Sequence, residues 1–147
     1  MSVVIIAGAR QTYARRLQSS LDQLQETGEV VHLVTYGSSA NLQLRGQHIA
    51  IPVPPATRLA RAPRAIRVVL RVLNLLLSRR ATDRFRRAVL SSPDIDSLLR
   101  DADLLVAVDP PAVDVAWHLI RRHRDLAAVS GTPAALDVIN RRRRSSG

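Results

Sequence analysis

The sequence predicts a single open α/β domain: a mostly parallel five-stranded sheet with helices on both faces. Three observations predict it. Short aliphatic, β-branched runs recur at Val3–Ala7, Val30–Tyr36, His48–Val53, Leu104–Val108 and Leu126–Val129. Segments of helical period separate most of them, the alternation that builds parallel sheets. The length, 147 residues, is that of one domain with a core of its own.

The elements follow in order. Val3–Ala7 reads as a buried strand that stops at Gly8. Tyr13, Leu17, Leu21 and Leu24 then recur on one helical face, with Thr12 as N-cap and Gly28 just past the end. Val30–Tyr36 is the second strand, closing a parallel βαβ unit of right-handed crossover. Ser38–Gly46 reads as loop, and His48–Val53 as a third strand ended by prolines at 52, 54 and 55. Arg64–Leu77 and Thr82–Leu90 read as helices, and Ser92-Pro93 restarts a short helix through Leu99. Leu104–Val108 is the fourth strand. Pro110 and Pro111 open the next helix, whose apolar face is Val113, Ala116, Trp117 and Ile120. Leu126–Val129 is the fifth strand. Ser130-Gly131-Thr132-Pro133 turns into a last helix, Ala134–Asn140, with residues 141–147 as an Arg-rich disordered tail. The expected strand order is 3-2-1-4-5.

Composition removes several function classes. Aromatic residues are only Tyr13, Tyr36, Phe85 and Trp117, too few for a base-stacking platform. Cysteine is absent, which excludes disulfides, thiolate metal sites and a cysteine nucleophile. No apolar run is long enough to span a bilayer and no leader pattern opens the chain, so a cytoplasmic location is expected. Net charge is +10, and every one of the 22 basic residues is arginine. Such a surface attracts phosphates, acidic lipids or nucleic acid, although Arg-biased codon usage also produces it.

In an open sheet of this order, ligands bind beyond the carboxyl ends of the strands, where the order reverses. The residues expected there are Gly8-Ala9-Arg10-Gln11-Thr12, Asp109-Pro110-Pro111 and Ser130-Gly131-Thr132. Each segment opens a helix, whose free N–H groups favour an anion, and Arg10 adds a bidentate contact. Gly8, Arg10, Gln11, Thr12, Pro110, Ser130, Gly131 and Thr132 are therefore the candidate ligand-binding residues. Asp109 is the candidate catalytic residue, with an N-capping role as the alternative.

No cofactor or metal is expected. A single glycine stands where a dinucleotide fingerprint needs three, and no phosphate-binding Gly-Lys-Ser/Thr loop occurs. Asp94, Asp96, Asp101 and Asp103 sit at helix starts and turns, where capping explains them. His118 and His123 do not share a helix face. No Gly-x-Ser-x-Gly elbow supports a hydrolase. Arg64, Arg67 and Arg71 lie along one face of their helix, which is either a core helix with outward arginines or a basic face for anionic lipid or a partner protein.

Two stretches carry a family resemblance. Val3-Val4-Ile5-Ile6-Ala7-Gly8-Ala9-Arg10, with its helix and Glu29–Thr35, resembles the first βαβ of the N-terminal, Rossmann-like half of a GT-B glycosyltransferase of the family 4 kind. Asp101–Ala112 resembles that family's fourth strand and acceptor-side loop. The chain departs from the pattern at two places: Ala107 and Val108 stand where a histidine is usual, and the glycine-rich first loop is reduced to Gly8. The resemblance implies hexosyl transfer from a nucleotide sugar. In that family a second Rossmann-like domain with a pair of glutamates holds the donor. The chain would then be the acceptor-side half, working with a second domain or subunit on a sugar or glycolipid acceptor. The basic helix would dock it peripherally at the inner face of an anionic membrane. The alternative is a non-catalytic Rossmann-like binding or scaffold protein. Nucleic acid is not an expected partner, since neither a helix-turn-helix nor an aromatic platform is present.

Overall fold

The computed structural model describes residues 1–8, 14–37, 44–52 and 81–145. The chain runs β1 (Ser2–Ala7), α1 (Ala14–Glu26), β2 (Val30–Tyr36), β3 (His48–Ile51), α2 (residues 81–91), α3 (Pro93–Arg100), β4 (Leu104–Ala107), α4 (Pro110–Ile120), β5 (Ala127–Ser130) and α5 (Thr132–Ser145). All five strands pair in parallel, in the order β3-β2-β1-β4-β5. The architecture is the open, Rossmann-like α/β sheet that the strand–helix alternation predicts.

Strand alternation sorts the core into two layers. Val4 and Ile6 of β1, Val34 and Tyr36 of β2, and Leu105 and Ala107 of β4 face α2, α3 and α4, which contribute Phe85, Val89, Ile95, Leu99, Ala112, Val115 and Leu119. Val3 and Ile5, Val31 and Leu33, and Leu104 and Val106 face α1 and α5, which contribute Leu21, Leu24, Ala135 and Ile139. The central strand β1 is buried on both faces, so it reads as an unbroken apolar run rather than an alternating one.

Local signals set the helix limits. Gly28 takes a φ of +76° after α1, the left-handed conformation that ends helices cheaply only at glycine. Ser92 caps α3 through Ile95 N–H, and Pro93 occupies its first turn.

The C-terminus corrects one expectation. Arg141–Arg144 are not a disordered tail; α5 runs through them to Ser145. Arg141 pairs with Asp137 one turn earlier (2.6 Å), and Arg143 reaches Glu29 (3.0 Å) and the Thr27 carbonyl. Glu29 also holds the Met1 amine at 2.8 Å. The arginines find acceptors on α5 itself and at the amino ends of the central strands, so the helix persists where composition alone argues for a tail. The helix expected over Arg64–Leu77, with Arg64, Arg67 and Arg71, lies outside the described residues.

Candidate functional site

The strand order brings the carboxyl ends of β1, β4 and β5 side by side. Val108 N–H donates to Ile6 O at 3.2 Å, and Gly131 N–H donates to Ala107 O at 2.9 Å. Gly8, Asp109 and Ser130–Thr132 therefore share one rim. Arg10, Gln11 and Thr12 lie outside the described residues.

Gly8 continues the row of Val4 and Ile6. A Cβ at this position would stand 2.7 Å from Phe85 Cε1 and 2.8 Å from Pro111 Cβ. Only glycine fits, because α2 and α4 close directly over the turn. Phe85 is fully buried, and its ring lies 5.3 Å from that of Tyr36. The two rings stop the carboxyl ends of β1 and β2 on this side of the sheet. Tyr36 carries a buried hydroxyl that finds no hydrogen-bond partner among the described residues. Arg86 fastens α2 to α4, reaching Asp83 at 3.0 Å and Asp114 at 3.3 Å.

Asp109 follows β4 in an extended conformation, and its Oδ1 accepts Ala112 N–H at 2.9 Å. It is the N-cap of α4, and Pro110 and Pro111 fill the first turn, where a missing N–H costs nothing. Ser130 is exposed at the end of β5. Gly131 takes a φ of +83°, and Thr132 is buried at the start of α5. At this corner the start of α5 borders the rim beside α4 and adds positive potential, whereas α4 offers no free N–H, because Pro110 and Pro111 have none and Asp109 takes that of Ala112.

Two histidines sit on β2 and β3. Burial lowers the pKa of both His32 and His48 from their ordinary value of 6.5. His32 Nδ1 accepts Gln47 N–H at 3.1 Å, so the neutral ring helps hold the segment entering β3. The Thr35 hydroxyl donates to Gly37 O at 3.0 Å, which leaves it to accept from His48 Nε2 at 2.8 Å. Among the described residues, no group of three or more His, Asp or Glu side chains is placed to hold a metal ion.

The strand order follows from the sequence, whereas the Phe85–Tyr36 stopper does not. Phe85 and Tyr36 were visible as the chain's one phenylalanine and the last residue of a strand. Neither position says that the two rings meet.

No model of a known family matches the chain, and no curated protein matches it. Among solved structures, the chain is similar to the C-terminal domain (residues 78–226) of a hydrogenase from Pyrococcus furiosus. The match has 16% identity and a TM-score of 0.55, and covers 88% of this chain and 90% of that one. A second structure of that domain, residues 83–215, matches at 17% identity with a TM-score of 0.48, covering 88% and 89%. At such identity the first likeness speaks for the fold alone.

Proposed function

We propose that the chain is the acceptor-side half of a GT-B-like glycosyltransferase, with the sugar-nucleotide donor held by a second domain or subunit. The observation that supports this reading is the single rim on which Gly8, Asp109 and the start of α5 converge. A sugar or glycolipid acceptor would lie along that rim. Asp109 would accept the proton of the attacking hydroxyl, and the start of α5 would favour a phosphate-bearing group. The basic segment with Arg64, Arg67 and Arg71 would hold the domain at an anionic membrane surface.

One observation favours a second reading, a non-catalytic Rossmann-like binding or scaffold protein. Phe85 and Pro111 fill the space over Gly8, and the Asp109 carboxylate already serves the helix. The experiment that separates the two measures nucleotide-sugar binding and hexose transfer by the purified chain, alone and with the products of neighbouring genes. The transferase reading expects transfer once the donor-binding chain is supplied. Absence of both binding and transfer in every combination overturns it in favour of the scaffold reading.

A further inference from the structure

Among the described residues, nothing covers the β5 edge of the sheet. Gly131 N–H faces β4, and the N–H and C=O groups of a parallel strand alternate sides, so those of Ala128 and Ser130 point away from the sheet. No partner for them occurs among the described residues. Natural edges are blunted by charges, proline or bulges. β5 reads Ala-Ala-Val-Ser and has none of these. The side chains of Ala128 and Ser130 are exposed as well.

Among the described residues, nothing covers the neighbouring flank of α4. Asp114 points toward α2, where it meets Arg86. Val113 and Trp117, one turn apart, are turned away from both α2 and the core, and they are 43% and 52% exposed. Arg121 lies over the Trp117 ring at 4.7 Å. In a doubly wound sheet this flank is where the next helix would pack.

We propose that this edge is a dimer interface, with β5 pairing antiparallel to β5 of a second copy of the chain. Three arguments select that occupant. The outward N–H and C=O groups of Ala128 and Ser130 can pair with a strand, which lipid chains cannot offer. Small side chains at 128 and 130 let a second backbone approach. The patch also carries both halves of a charge match. With Ala128 opposite Ser130 of the second copy, Asp125 comes beside the first turn of the second copy's α5, and the two-fold axis repeats the contact. The pairing makes four hydrogen bonds across the axis and covers Trp117 on each side. Ser130 and the start of α5 also border the rim, but the pairing uses backbone groups of the outer side of β5 and needs no ligand, so it does not depend on the transferase reading.

Sedimentation equilibrium at about 0.15 M salt, which screens the basic surface, tests it between about 1 and about 100 μM, a range suited to a small interface. The expected mass rises to twice that of one chain, and emission from Trp117, the only tryptophan, shifts to the blue in step. Ala128→Pro removes an outward N–H without touching the β4 ladder and should raise the dissociation constant at least about tenfold. Asp125→Arg, at an exposed turn, should raise it by about tenfold, and it decides the question if the proline variant does not fold. A monomer throughout the range overturns the proposal. So does a dimer that both folded variants leave unchanged.

Discussion

At the scale of single residues, Asp109 joins two chemistries that substitution can separate. Asn keeps the cap to Ala112 N–H and removes the charge, whereas Ala loses both. Asp109→Ala should cost about 1 kcal/mol of stability, and Asp109→Asn far less. If the carboxylate is the base, the Asn variant loses hexose transfer while its denaturation midpoint holds. Tyr36→Phe removes a buried hydroxyl that has no partner among the described residues, so stability should stay level or rise in the same measurement. Gly8→Ala places a methyl group against Phe85 and Pro111 and should cost about 1–3 kcal/mol by overpacking. His32 supplies the pH dependence. The fold lowers its pKa, so the unfolded chain takes up the proton first as pH falls. Its contribution is complete above about 6.5 and is lost on acidification below that value, with His48 acting in the same direction. Urea midpoints at about pH 7.5 and about pH 5.5 should differ less in His32→Gln, whose side-chain oxygen still accepts Gln47 N–H.

At the scale of elements, the sequence marks strands and caps more clearly than helix ends. Ser92, Asp109, Gly28 and the Pro110-Pro111 pair act where their side-chain chemistry places them. The strands were legible because β1 and β4 are buried on both faces and must be continuously apolar. The end of α5 was not legible. Four arginines in a row look like a tail unless Glu29, Thr27 and Asp103 are known to lie within reach, and those residues come from distant parts of the chain. Amide exchange should therefore show protection of the Arg141–Arg144 backbone. Arg143→Ala should reduce that protection while changing global stability by less than about 1 kcal/mol, because the pair is partly exposed. The loop entering β3 is tighter than its composition suggests. A Cβ on Gly46 would press directly on the Val31 carbonyl, so Gly46→Ala should loosen β3 from β2 and lower the melting temperature.

At the scale of the whole molecule, strand order was legible because parallel strands need crossovers and chirality leaves few ways to make them. The position of the candidate site followed from that order. Its state did not: whether the rim is open depends on Phe85, brought to Gly8 and Tyr36 by a helix far along the chain. Patterning places helices against a sheet without saying which ring fills which gap. Among the described residues, no helix is long and apolar enough to cross a membrane.

The order β3-β2-β1-β4-β5 also governs how the chain is made. β1 emerges first from the ribosome, yet its second neighbour is β4, which begins at Leu104. Until that segment is synthesised, the central strand has one naked side and its apolar residues lack half their cover. Nascent chains arrested before residue 104 should be digested readily by proteases, and those released with α5 complete should resist.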